Sequence, residues 1–176
     1  LVVHVKDNLR SGKQTGGKQC SRYHSEGCSY TRVTGIWQTV WLEAVDKNGL
    51  KSSVVRPDID QNQLSILPEF HNESDNILEV VLKDEDKIIA RKEVKCSNSA
   101  CIVLPVKKPK LWSPESPFLY DLIYRVKDMS GNIVDEVHSY AGMRKVHTAN
   151  GIFYLNNQPY FQRLVLDQGY YPDGIW

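Results

Sequence analysis

From Phe118 to Val126 every second residue is apolar: Phe118, Tyr120, Leu122, Tyr124 and Val126, opposed by Asp121, Arg125 and Lys127. Strict alternation sends one face of an extended chain into a core and the other into water, which is the period of a strand. The rhythm recurs at Leu78, Val80 and Leu82 and at Ile102, Leu104 and Val106. It is briefer at Leu64 and Ile66, at Ile88 and Ala90, and from Ile133 to Val137 after the turn Met129-Ser130-Gly131-Asn132. It also covers Ile36, Gln38, Val40 and Leu42, set against Trp37, Thr39 and Trp41. No helical stripe is sustained beyond about two turns. The chain has 18 Val and 11 Ile against 5 Ala. Branching at Cβ suits a pleated surface, and Ala favours helix, so the ratio argues against a helical bundle.

Strands at about 8–12-residue spacing, divided by Asp, Asn, Gly and Pro clusters, predict an all-β fold. Its architecture is expected to be an immunoglobulin-like antiparallel β-sandwich with short flanking strands. The 176 residues suffice for one such domain with pieces attached. Residues 7–29 are poor in aliphatics and read as a long loop, and residues 44–142 carry the sandwich rhythm. Residues 150–176 turn aromatic and Gly-rich, with Asn156-Asn157 as a two-residue hairpin turn, since Asn tolerates positive φ. With 22 Lys+Arg against 21 Asp+Glu, nothing draws the chain to nucleic acid or an anionic membrane. The start at Leu1-Val2-Val3 without Met, and too soon charged for a signal peptide, suggests a piece of something larger.

Four ordered motifs carry a resemblance. Tyr30-Thr31-Arg32-Val33-Thr34-Gly35-Ile36-Trp37-Gln38-Thr39-Val40-Trp41-Leu42-Glu43 resembles the closing strand of the sugar-binding jelly roll in glycoside hydrolase family 2, the family of β-galactosidases and β-glucuronidases. Leu111-Trp112-Ser113-Pro114-Glu115-Ser116-Pro117-Phe118-Leu119-Tyr120 is similar to a motif late in that family's immunoglobulin-like second domain. Tyr140-Ala141-Gly142-Met143-Arg144-Lys145-Val146 resembles the exit toward the catalytic barrel. Leu155-Asn156-Asn157-Gln158-Pro159-Tyr160-Phe161-Gln162-Arg163 and Leu166-Asp167-Gln168-Gly169-Tyr170 resemble the barrel's opening hairpin and first strand. The resemblance implies residues 1–43 as the end of a jelly roll, 44–142 as the sandwich, and 143–176 as linker and barrel opening. It implies hydrolysis of O-glycosyl bonds with retention, with the parent's other domains and a carbohydrate as partners and no cofactor.

Most motif residues read as structural. Pro114 and Pro117 lock φ and extend their predecessors, making a bend from which Trp112 can fold back beside Phe118 and Tyr120 as a core anchor. Gly35 suits a bulge or close backbone approach at the start of the strand that carries Trp37. A retaining glycosidase needs two carboxyl groups about 5–5.5 Å apart. The resemblance places both later in the barrel, so no catalytic residue is expected here. Asn72-Glu73 imitates the family's Asn-Glu pair but sits in a polar turn, His71-Asn72-Glu73-Ser74-Asp75-Asn76. Arg163 and Asp167 stand at i and i+4 on the expected barrel strand, hence on one face, and are the candidate sugar-binding residues of the full-length parent. Near the Arg-x-x-Gly segment stand Cys28, Ser29 and Tyr30, with Glu26 nearby, which departs from a galactosidase-type acidic contact.

The cysteines fall into pairs, Cys20/Cys28 and Cys96/Cys101, with bridging left open. Neither spacing, even with His24 between the first pair, is that of a metal site. His4, His71, His138 and His147 accompany no Ser or Cys nucleophile motif. The compartment is open, with a periplasmic or secreted location favoured over a cytoplasmic one. The alternative function is a free-standing immunoglobulin-like module that binds carbohydrate or protein.

Overall fold

A computed structural model describes residues 1–36 and 38–169. The chain divides into two compact units, one of Ala44–Gln162 and one of Leu1–Glu43 with Arg163–Trp176. The first holds all the named strands: β1 (Leu50–Asp58), β2 (Gln63–Phe70), β3 (Ile77–Asp84), β4 (Lys87–Lys95), β5 (Ile102–Pro105), β6 (Tyr120–Lys127), β7 (Ile133–Ala141), β8 (Val146–Ala149), β9 (Ile152–Leu155) and β10 (Gln158–Pro159). One sheet runs β1-β2-β5, a second β4-β3-β6-β7, and a small third β10-β9-β8. Every pairing between these strands is antiparallel. Sheets of three and four strands facing each other form the expected immunoglobulin-like sandwich.

The alternating apolar residues meet in a single core. Leu64 and Ile66 from β2, Leu78, Val80 and Leu82 from β3, Ile102 and Leu104 from β5, and Leu122, Tyr124 and Val126 from β6 are buried. The two buried phenols keep polar partners: Tyr124 Oη lies 2.8 Å from Ser53 Oγ, and Tyr120 Oη accepts from the Lys110 amide at 2.7 Å. The 129–132 turn forms as expected, with Gly131 at φ +83° and Asp128 accepting the amides of Ser130 and Asn132. Asn156 and Asn157, at φ +53° and +64°, make the expected two-residue hairpin between β9 and β10. Gly49 is required by crowding: a Cβ there would stand 2.7 Å from Asp135 Oδ2, the atom that accepts the Leu50 amide.

The other unit is built differently. Cys20 N–H donates to the Tyr30 carbonyl at 2.7 Å and Tyr30 N–H to the Lys18 carbonyl at 2.6 Å, while Gln168 from the far end of the chain accepts from the Lys18 ammonium and the Tyr30 hydroxyl. Residues 7–29 are the loop that their composition predicts, with isolated bridges and no extended ladder. The expected strand over 36–42 is absent among the described residues, and Val40, Trp41 and Leu42 are exposed. An extended segment becomes a strand only when a neighbour takes its amides and carbonyls, and among the described residues none forms a ladder with it.

Candidate functional site

The motif residues converge where the sandwich hands over to the small sheet. Pro114 heads a tight turn in which Ser113 and Ser116 exchange backbone hydrogen bonds at 3.0 and 3.1 Å, and Pro117 follows it. Trp112 N–H donates to the Met143 carbonyl at 2.9 Å, tying the bend to the chain leaving β7, and the Met143 side chain is buried. Asn156 then clasps both segments. Its Nδ2 donates to the Trp112 carbonyl at 2.9 Å, its Oδ1 accepts the Lys145 amide at 3.1 Å, and its own amide donates to the Lys145 carbonyl at 2.8 Å. Asp60, in the β1–β2 turn, accepts from Lys145 and from Asn157 Nδ2, contacts that lower its pKa. Tyr160 Oη donates to Glu115 at 2.9 Å. Segments distant in sequence are thus joined by side-chain bonds at one end of the sandwich.

Trp112 is half-buried and not part of the core. Phe118 and Tyr120 pair edge to face with each other at 4.8 Å, while the Trp112 ring carries the Arg144 guanidinium at 4.5 Å. Trp112 packs instead against the chain between β7 and β8, where the Cβ position of Gly142 lies 3.6 Å from Trp112 Cβ and 3.3 Å from Leu119 Cδ2. Beside it opens a groove of about 600 Å³ lined by Val55, Trp112, Leu119, Tyr140, Arg144 and Val146 among others.

Arg163 and Asp167 are not on a strand: residues 161–169 have no regular structure and both side chains are exposed. The one-face relation expected of i and i+4 therefore does not hold. Asp167 Oδ1 instead accepts the Gly169 amide at 2.8 Å, a local turn bond. Gly35, at φ +105° with nothing within 4 Å of a Cβ position, answers to a positive φ and not to a bulge or close approach. Trp37 and Tyr170 lie outside the described residues. The four cysteines are free thiols, Cys20 and Cys96 buried, and burial pushes the Cys96 thiol up to about 11.

Glu73 sits in the β2–β3 turn, where its carboxylate accepts the Asn98 amide at 2.7 Å and the Ser97 hydroxyl at 2.9 Å. Those bonds lower its pKa, the wrong direction for a general acid at neutral pH. A site missed by periodicity is Glu79, on the outer face of β3 yet 1% exposed. Burial alone pushes its carboxyl up, but hydrogen bonds from Lys127 and Arg125 and the charge of Arg91 bring it down to about 2. Lys127 Nζ bridges Glu79 and Glu93 at 2.8 and 2.9 Å, and Arg125 bridges Glu79 and Glu136 at 3.2 and 2.5 Å. The signal was the register, since Glu79 pairs across to Arg125 on β6. His147 stacks on Tyr154 with ring centroids 4.9 Å apart, and His138 pairs with Glu136 at 2.7 Å. Among the described residues every carboxyl with a displaced pKa is displaced downward. None of them is tuned as an acid.

A family model, Glycosyl hydrolases family 2, matches residues 50–144, more than half of the chain. The chain belongs to glycosyl hydrolase family 2. Similar family 2 relatives include a β-galactosidase of Halalkalibacterium halodurans, 28% identical over 141 residues, which covers 76% of this chain and 14% of that protein. A β-galactosidase of Priestia megaterium is 24% identical over 174 residues, covering 88% of this chain and 17% of that protein. Among solved structures, the β-D-glucuronidase of Dictyoglomus thermophilum aligns with TM-score 0.54 and 28% identity, over 65% of this chain and 18% of that one. The chain thus spans less than a fifth of the length of these relatives.

Proposed function

We propose that this chain is the architectural, non-catalytic portion of a retaining family 2 glycosidase of β-galactosidase or β-glucuronidase type. In this reading residues 1–43 end a sugar-binding jelly roll, 44–142 form the sandwich between domains, and 143–176 open the catalytic barrel. The two carboxylates of the reaction belong to later barrel strands of the parent, one protonating the leaving oxygen and the other attacking the anomeric carbon. The observation that carries the proposal is the clasp of Asn156 on Trp112 and Lys145, which fixes the outgoing hairpin to the end of the sandwich. A junction so bonded sets the angle at which a following domain leaves. Arg163 and Asp167 are proposed to contact sugar in the parent, where a complete barrel would order the segment that carries them.

The test is to assay the purified chain on aryl β-galactosides, β-glucuronides, β-glucosides and β-mannosides. We expect no turnover by the chain and turnover by the full-length parent. Turnover by the chain that disappears in Glu73→Gln would sink the proposal. In the parent, Asp167→Asn should lower kcat/KM by about 2 kcal/mol in transition-state free energy, as for a lost charged hydrogen bond. Wild-type kcat/KM would make Asp167 structural.

A further inference from the structure

We propose that the groove beside Trp112 is a docking surface for an apolar segment bearing a carboxylate, supplied by the remaining polypeptide of the parent; this rests on the function proposed above. The groove has the size of a site for a few side chains, about 600 Å³, and its walls are incompletely covered. Tyr140 is 67% exposed, Val146 52% and Leu119 45%, all lining one opening. Contiguous exposed apolar surface of this kind marks a contact site more often than a free surface. Trp, Tyr and Arg are the residue types that dominate binding energy in interfaces, and here Trp112, Tyr140 and Arg144 share one groove.

Arg144 specifies the chemistry of the occupant. Its guanidinium lies over the Trp112 ring, and it makes no ion pair among the described residues. Arg91 and Arg125 of the same unit, by contrast, are each paired with glutamates. A guanidinium held over a ring keeps its N–H fork for a planar carboxylate, and that pairing is bidentate. Covered by a docked apolar segment, such a pair would be stronger than on an open surface. A polypeptide fits better than a sugar because the walls are aliphatic or aromatic, with one cation and no array of polar side chains for hydroxyl groups. The groove is also continuous with the hairpin clasp, since Val146 opens β8 and Arg144 adjoins Lys145, which Asn156 holds.

Arginine modification by phenylglyoxal, read by peptide mass spectrometry, tests this on wild-type protein, with Nα-acetylarginine amide in the same tube as a reference. Arg144 should react in the isolated chain and about tenfold or more slowly in the full-length parent. Equal reactivity in the two overturns the docking surface. Protection of Arg144 in the isolated chain by free glucuronate also overturns it, in favour of a sugar site. Glycosidase activity of the same parent preparation keeps the two readings apart: an active parent with unprotected Arg144 sinks the groove alone, and an inactive one sinks the function. A gene that encodes no further polypeptide sinks both.

Discussion

Residues 118–126 and residues 36–42 both carry alternating apolar side chains, yet among the described residues only the first stretch contributes a strand, from Tyr120 on. In β6 the amides and carbonyls are taken by β3 on one side and β7 on the other, and Leu122 and Val126 fall into a core that β2 and β5 close from the opposite sheet. In 36–42 no strand lies alongside among the described residues, and Leu42 is 99% exposed. Val165 and Leu166 repeat the case, at 90% and 88% exposure. Alternation therefore reports that a segment is suited to a sheet, and the neighbour decides whether it joins one. A segment suited to a sheet and left without one is an incomplete contact, in agreement with the proposal that the flanks pair with the rest of a larger enzyme.

Truncation within the two regions should divide them sharply. Leu122→Ala removes fully buried methyl groups from the middle of β6 and is expected to cost about 4 kcal/mol in a urea melt. Against a typical domain stability of about 5–15 kcal/mol that is close to unfolding. A cost below about 1 kcal/mol would mean that the core collapses around the gap and that burial does not distinguish the regions.

The next effect belongs to Glu79 and is read by pH. Its folded-state pKa of about 2 lies below the ordinary 4.5, so its contribution is fully present above about pH 4.5 and is lost as pH falls toward 2. The size is about 3 kcal/mol, at 1.36 kcal/mol per unit. Glu79→Gln should flatten that part of the stability profile. An unchanged profile in Glu79→Gln would show that the network on the outer face of β3 is not held by this charge.

Gly49→Ala should cost about 2 kcal/mol, because the new methyl displaces the Asp135 carboxylate that accepts the Leu50 amide. Smallest of all, Leu42→Ala and Val165→Ala should each stay within about 0.5 kcal/mol. A larger loss from either would show that its region has a core of its own.

Much of the sandwich was legible because its inward residues alternate without interruption in β3 and β6 and because Asn156-Asn157 and Gly131 mark their turns. β1 was less so: Ser52, Ser53, Arg56 and Pro57 break the apolar rhythm of a strand that has only β2 as a neighbour. Glu79 was unreadable as a buried residue, since its outward position predicts solvent and only the strand register places Lys127, Arg125 and Arg91 around it. At the junction, the bend at Pro114 and Pro117 was apparent, but the seat of Trp112 depended on Gly142 and Arg144, which are about 30 residues away and meet it only in the fold. Arg163 and Asp167 were assigned to one face by a strand period that applies only once a strand has formed.

Amide hydrogen exchange on the isolated chain and on the full-length parent compares the two regions residue by residue and tests this most directly. In the isolated chain we expect β3 and β6 amides to exchange only through global opening, and residues 38–43 and 161–169 to exchange nearly as fast as an unfolded peptide. In the parent, both flanking segments should become as protected as β6. Protection of 38–43 in the isolated chain, or its continued absence in the parent, would contradict the proposal that these segments become strands once their neighbours are present.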